Sequence, residues 1–284
     1  MAEPAGAAGP AVGFVGLGNI GKPMALRLAA SGLPLHVYDV APGPLAELAA
    51  AGAQVGGSVA EVAAAVDVLC VMVRDDEQVR DVLLEALTRA REGLTVVVHS
   101  TVAPGTPGEL ADVAARHGVR LLDAPVSGGP MGAAEGTLAI MVGGDEDAFA
   151  AARPALEAMG TKVVHAGPVG AGTRFKLARN LMHFVSFTAA TEAQRLAEAA
   201  GLDIKALGDV VRHTDAITGG PGAIMHRDTT APIAPDDFWH GVFSHVVALG
   251  DKDLGFAVAL ADELGVDVPL ARLAEERLGK GLGL

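Results

Sequence analysis

The segment Val12–Val15 is a short apolar run that stops at Gly16-Leu17-Gly18-Asn19-Ile20-Gly21 and passes into an alanine- and leucine-rich stretch opened by Pro23. Few folds accommodate this order. A buried strand, a turn of closely spaced glycines and a helix with proline in its first turn make the opening of a βαβ unit that receives a dinucleotide. The glycines permit a tight turn, close approach of a pyrophosphate and close helix–sheet packing. The pyrophosphate then rests on the helix N-terminus. A glycine motif alone is weak, but an acid at the end of the next strand agrees with it. Asp39 closes Leu35-His36-Val37-Tyr38-Asp39, about 20 residues on, where a carboxylate accepts hydrogen bonds from the adenosine ribose. Such a carboxylate repels a 2′-phosphate, and no arginine stands in Val40-Ala41-Pro42-Gly43, so NAD is expected rather than NADP. Read by itself, Asp39 also fits a turn or a helix cap.

The alternation continues. Strands are expected at Val12–Val15, Leu35–Tyr38, Val68–Val73, Thr95–His99, Val119–Leu122, Leu138–Val142 and Lys162–Val164, with helices between them. This pattern predicts a mostly parallel sheet covered on both faces. After Gly167-Pro168-Val169-Gly170 the character changes. A long helix is expected over Ala171–Ala200, then helices over Ile204–His213, Phe238–Leu264 (with a break near Gly250 or Gly255) and Leu270–Leu278. The expected architecture is a tail over 1–10, an α/β Rossmann-type domain over 11–168 and an all-α domain over 169–284, joined by the long helix.

Composition narrows the function classes. The net charge of −13 disfavours nucleic acid as a partner. No uncharged apolar run reaches the length needed to span a bilayer, and residues 1–10 lack the basic start and apolar run of a signal peptide. The single cysteine, Cys70, lies in the apolar run Val68-Leu69-Cys70-Val71. It reads as a core residue, and its solitude suits a reducing cytosol. No ligand cluster for a metal is evident.

Four segments carry candidate chemistry beyond the first glycines. In Asp123-Ala124-Pro125-Val126-Ser127-Gly128-Gly129-Pro130, Pro125 ends a strand ladder. Ser127, Gly128 and Gly129 then offer backbone amides and a hydroxyl to an anion; an ordinary glycine turn fits the same residues. Met72 and Val73 end one strand, and Thr101 follows another in Ser100-Thr101. Ligands collect at such ends in open α/β sheets, although Thr101 also reads as a turn residue before Pro104. Lys176 and Asn180 lie four apart on the long helix and share a face. A lysine in a closed, partly apolar site can move a proton, and a solvated helix lysine has the same spacing. Lys252-Asp253-Leu254 in the helical half is an ordinary charged helix segment when read alone.

Taken in order, Gly13-Phe14-Val15-Gly16-Leu17-Gly18-Asn19-Ile20-Gly21-Lys22-Pro23-Met24-Ala25, Asp123-Ala124-Pro125-Val126-Ser127-Gly128-Gly129, the Lys176/Asn180 segment and Lys252-Asp253-Leu254 resemble the β-hydroxyacid dehydrogenase family, which includes 3-hydroxyisobutyrate dehydrogenases. The resemblance runs from about Val12 to Gly279. It implies a hydride exchange between a small 3-hydroxy carboxylate and NAD. It also implies that Ser127, Gly128 and Gly129 bind the carboxylate, that Lys176 is the general acid/base, that Asn180 holds the substrate and that Lys252 closes over the site. Assembly into a homodimer or homotetramer is implied as well. Imine reductases share the layout but typically lack the lysine; a non-catalytic cofactor-binding relative would have lost the lysine or the glycine loop. The chain departs from the usual family pattern where Met72-Val73 leads into Arg74-Asp75-Asp76, at His245, where phenylalanine is common, and around His213, Trp239 and His240. His183, His213, His240 and His245 are candidates for recognising a second polar group of the substrate.

Overall fold

The structure, a computed structural model, describes residues 9–284. Residues 1–8 of the expected tail lie outside the described residues. Contacts divide the chain into two compact units, one to Arg179 and one from Asn180. The division falls inside the long helix, later than the change of character at 168.

The first unit contains β1 (Val12–Val15), α1 (Gly21–Ala30), β2 (Leu35–Tyr38), α2 (Pro42–Ala50), β3 (Gln54–Val55), α3 (Val59–Ala65), β4 (Val68–Val71), α4 (Asp76–Leu87), β5 (Thr95–Val98), α5 (Thr106–Ala115), β6 (Arg120–Asp123), β7 (Val126–Ser127), α6 (Gly129–Glu135), β8 (Ala139–Gly143), α7 (Glu146–Met159) and β9 (Lys162–Gly167). The sheet order is β3-β2-β1-β4-β5-β6-β8-β7, with β9 on β8. The first six strands pair in parallel. Every residue of β1, β4 and β5 is buried, because helices cover both faces and no alternation with polar residues is possible. Two cores result. One contains Phe14, Met24, Leu122 and Leu156; the other contains Leu69, Leu83, Val96 and Leu110. The order of strand addition reverses between β1 and β4: β2 and β3 extend the sheet on the β1 side, and β5 and β6 extend it on the β4 side. That switch point is where open α/β sheets bind ligands.

The structure corrects the sequence expectation at three places here. Pro125 does interrupt the ladder, but Val126–Ser127 rejoins it antiparallel to β8. The glycine loop runs straight into α6, where no helix was expected. β3 was also not expected; its short pairing with β2 is supplied by the sheet edge.

α8 (Ala171–Ala199) begins in the first unit and ends in the second. The second unit adds α9 (Ile204–Thr218), a 3₁₀ turn at Gly220–Ile224, α10 (Phe238–Leu264) and α11 (Pro269–Leu282). α10 runs unbroken through Gly250 and Gly255, against the expected break. A Cβ at Gly250 would come within 2.4 Å of Leu278 Cδ2, so the glycine lets α11 press close. Among the described residues no helix is long and apolar enough to cross a membrane.

Candidate active site

At the end of β1 the chain turns at Gly16, whose φ is +93°, a conformation glycine adopts without penalty. A Cβ on Gly16 would lie 2.2 Å from the Met72 carbonyl oxygen, and one on Gly21 would lie 1.9 Å from the Gly16 carbonyl oxygen. Both glycines are therefore demanded by the protein's own backbone. Gly18 differs, since a Cβ there meets nothing within 4 Å. The space above Gly18 belongs to a cavity of about 530 Å³. This open cradle beside an N-terminal helix turn fits a dinucleotide pyrophosphate.

Gly16, Gly18, Asn19, Ile20, Gly21, Asp39, Met72 and Val73, all expected at the cofactor, line this one cavity. Asp39 is held in place by two amides: Leu17 N–H donates to Oδ2 at 2.5 Å and Ala41 N–H donates to Oδ1 at 2.7 Å. Each oxygen keeps a second lone pair. Arg74, noted in the sequence only as part of a departure from the family pattern, also lines the cavity, as do Gln78 and Val82, which were not singled out; Gln78 and Val82 share a face of α4, a spacing that could have been noticed. Ser100 was passed over in favour of Thr101. Its hydroxyl donates to the Val73 carbonyl at 2.7 Å and accepts the Val73 N–H at 2.9 Å. It thus staples the ends of β4 and β5 and shapes the cavity wall. Thr101 is exposed beyond β5 and is not among the lining residues.

A second cluster gathers where β7 runs into α6. Gly128 and Gly129 have φ of +135° and +65°, and they turn the chain from β7 into α6. The N–H groups of a first helical turn have no acceptor within their helix. The Lys176 side chain comes to the same loop from α8. Its Nζ donates to the Val126 carbonyl at 2.6 Å, the peptide group that joins Val126 to Ser127. Lys176 is only 8% exposed. Burial, and secondarily the Arg179 guanidinium, push its pKa below the ordinary lysine value. The structure thus brings Lys176 to the residue that precedes Ser127. An amine in such a place can give or take a proton near a bound oxygen atom.

Asn180 follows Lys176 by one turn of α8 and is half-buried. In the second unit the His183 ring lies 4.2 Å from the Phe187 ring, centroid to centroid. Trp239 stacks parallel to His226 and packs against the small core of Ile233, Phe243 and Leu282. His213 and His245 are exposed and His240 is half-buried. Lys252 is exposed on α10 and pairs with Asp253 at 3.2 Å.

Comparison with known proteins agrees with this geometry. Residues 11–167 match the family described as the NAD binding domain of 6-phosphogluconate dehydrogenase. Residues 170–281 match the family described as NAD-binding of NADP-dependent 3-hydroxyisobutyrate dehydrogenase. An uncharacterized oxidoreductase of Mycobacterium tuberculosis is 48% identical over 278 residues, covering 97% of this chain and 94% of the relative. A crystal structure of an oxidoreductase from Mycobacterium avium 104 superposes with a TM-score of 0.94 at 49% identity, covering 96% of this chain and 99% of that one. A structure of the 3-hydroxyisobutyrate dehydrogenase of Mycobacterium tuberculosis with L-serine gives a TM-score of 0.68 at 35% identity, over 97% and 96% of the two chains.

Proposed function

The chain belongs to the β-hydroxyacid dehydrogenase family, and from that premise we propose that it oxidises a small 3-hydroxy carboxylate to the semialdehyde, or runs the reverse reduction, with NAD as the preferred cofactor. The observation that carries this reading is the buried Lys176 amine 2.6 Å from the Val126 carbonyl, beside the amides of Ser127–Gly129. Those amides hold the substrate carboxylate, and the Ser127 hydroxyl adds a donor. With the carboxylate fixed, the 3-hydroxyl is confined near the lysine, which removes much of the entropic cost of alignment. Lys176 takes the hydroxyl proton in oxidation and returns it in reduction. Asn180, one turn further on, holds the hydroxyl or carboxylate. The bound nicotinamide supplies the hydride acceptor.

For the cofactor, Gly16, Gly18 and Gly21 approach the pyrophosphate, and Asn19, Ile20, Met72 and Val73 line its bed. Thr101, from its place just after β5, is also assigned to the cofactor side, although it does not line the cavity, and Lys252 is assigned there from the family resemblance. Asp39 accepts from the ribose hydroxyls, and its charge disfavours a 2′-phosphate. Arg74, the one arginine among the residues lining the cavity, is paired with Asp75 at 2.8 Å. The 3-hydroxyisobutyrate dehydrogenase relative carries L-serine in its structure, and L-serine too bears a hydroxyl on the carbon β to a carboxylate. Both acids therefore stand at the head of the substrate panel. The lysine weighs against an imine reductase and against a non-catalytic role. We place the enzyme in the cytosol, where its single buried thiol needs no pairing, and infer a homodimer or homotetramer built through the helical unit. Large apolar side chains of α9 and α10, among them Ile217 and Phe256, are exposed and support that inference.

The test is initial rates with NAD and NADP over short 3-hydroxy acids, with Lys176→Ala alongside. The expected outcome is NAD-linked turnover, with kcat about 10²- to 10⁴-fold lower in the variant and NADH affinity unchanged. The oxidation rate should rise with pH to a plateau whose midpoint lies below the ordinary lysine value, because the neutral amine is the base. Wild-type turnover by Lys176→Ala would sink the mechanism.

A further inference from the structure

Asp123 is 1% exposed at the end of β6, and among the described residues no cation pairs with it. Its carboxylate is spent on another element. The Gly170 N–H donates to Oδ1 at 2.7 Å and the Thr173 N–H donates to Oδ2 at 2.6 Å. These are amides at the opening of α8, where helices lack internal acceptors and favour negative charge.

Five other helices of this chain are capped by the residue just before them. Ser58, Asp75, Asp145, Asp203 and Asp237 each accept an amide of the helix they precede. Only a local acid or hydroxyl is needed for that. α8 is instead capped from the sheet, across 50 residues of sequence at Thr173. The same separation recurs one turn up, where Lys176 Nζ meets the Val126 carbonyl. The two contacts are successive rungs between the same two segments: Asp123 to Thr173 below, Val126 to Lys176 above. There is no slack around the lower rung. A Cβ on Gly143 would lie 2.4 Å from Asp123 Oδ1, and one on Gly172 would lie 2.2 Å from the Met141 carbonyl oxygen and 2.5 Å from that of Asp123. Burial works against the ionised carboxylate and raises its pKa, while the two amides pull it the other way. A cap that served only helix stability would be cheaper on the surface.

We propose that Asp123 is a positioning residue: by gripping the first turn of α8 it sets the depth and rotation at which Lys176 meets the Ser127–Gly129 loop. The proposal rests on the reading of Lys176 as acid/base. It predicts that loss of the grip misplaces the amine without disturbing the dinucleotide cavity, to which neither Asp123 nor the start of α8 contributes.

The experiment compares Asp123→Asn, Gly172→Ala and Lys176→Ala with the wild type in kcat, substrate KM, NADH affinity, pH–rate profile and cooperative unfolding. Asn keeps the size and one acceptor; Gly172→Ala keeps the carboxylate but pushes the helix start off the strand ends. For both, kcat should fall about 10- to 100-fold, as expected for a displacement near an ångström. NADH affinity should stay at the wild-type value, and the limb of the pH profile belonging to Lys176 should move upward as the amine becomes less confined. Wild-type kcat and an unmoved limb in folded Asp123→Asn, with Lys176→Ala inactive, would overturn the positioning role alone. Full turnover by Lys176→Ala would instead overturn the acid/base reading on which it rests. Loss of NADH binding and of cooperative unfolding together in Asp123→Asn would also overturn the positioning role, since Asp123 would then serve the fold of the unit.

Discussion

Up to Arg179 the chain buries whole strands and fills two extended cores, with side chains such as Phe14, Leu69, Leu122 and Leu156 sealed from water. From Asn180 onward the two cores hold three buried residues each: Ile233, Phe243 and Leu282 in one, Val258, Ala261 and Val268 in the other. No residue of α9 is fully buried. Ile217, Phe238 and Phe256 are 72%, 75% and 70% exposed. A helix is held mainly by burying its apolar face, so α9 is under-supported by its own unit. The sheet unit completes its core from one chain; the helical unit leaves large apolar side chains exposed. A closed core and an exposed apolar face are thus divided along one polypeptide.

The sharpest test of that division truncates the sheet core. Leu122→Ala should cost the first unit about 2–5 kcal/mol, read by urea unfolding with hydrogen exchange followed unit by unit. Trp239, the chain's one tryptophan, lies in the helical unit, and its emission midpoint should stay put. An equal shift there would break the distinction. A slightly smaller effect is expected from acid. His99 is buried against Phe14, and burial pushes its pKa down to about 4 from 6.5. The unfolded chain takes up a proton below pH 6.5 that the folded ring refuses until about pH 4. Its stabilising contribution is therefore complete above 6.5 and is lost as pH falls through that window, by about 3 kcal/mol. In His99→Asn the denaturation midpoint should fall less between pH 7 and 4.5 than in the wild type. Dilution should act only on the helical unit. A tenfold drop in protein concentration should lower the apparent stability read by Trp239 by about 1 kcal/mol and leave exchange in the sheet unit unchanged; a concentration-independent Trp239 transition would remove the case for assembly. The smallest expected change in stability is that of Gly18→Ala, within about 0.5 kcal/mol, because the new methyl group meets open space. NADH titration should nonetheless show weakened binding, which separates the demands of the fold from those of the ligand.

The central strands were legible because each is a continuous apolar run stopped by glycine or a polar residue, and burial on both faces demands just that pattern. β3, β7 and α6 were not, since elements so short are decided by the strand or core they dock on. The lining of the large cavity was largely legible, as its walls come from the glycine loop and from the residues that end β1, β2 and β4. Arg74 and Ser100 escaped because their roles depend on which strand ends adjoin. The burial of Lys176 ran against hydropathy, for its neighbours Phe175 and Leu177 are the exposed ones. Helix spacing could pair it with Asn180 but could not say which way the face turned. Asp123 was legible as part of a motif and not as a cap, because its partners are some fifty residues away.

Cys70 sits at the centre of β4, fully buried, with its thiol pushed up to about 12 by that burial. Reaction with a maleimide or a disulfide reagent requires the thiolate, so the native chain behaves towards such reagents as if it had no cysteine. A single cysteine introduced at a solvent-facing position would be the one atom in the molecule that takes a dye or a spin label. One probe in each unit could then be installed in the natural background, with no preliminary substitution in the core to silence a competing thiol.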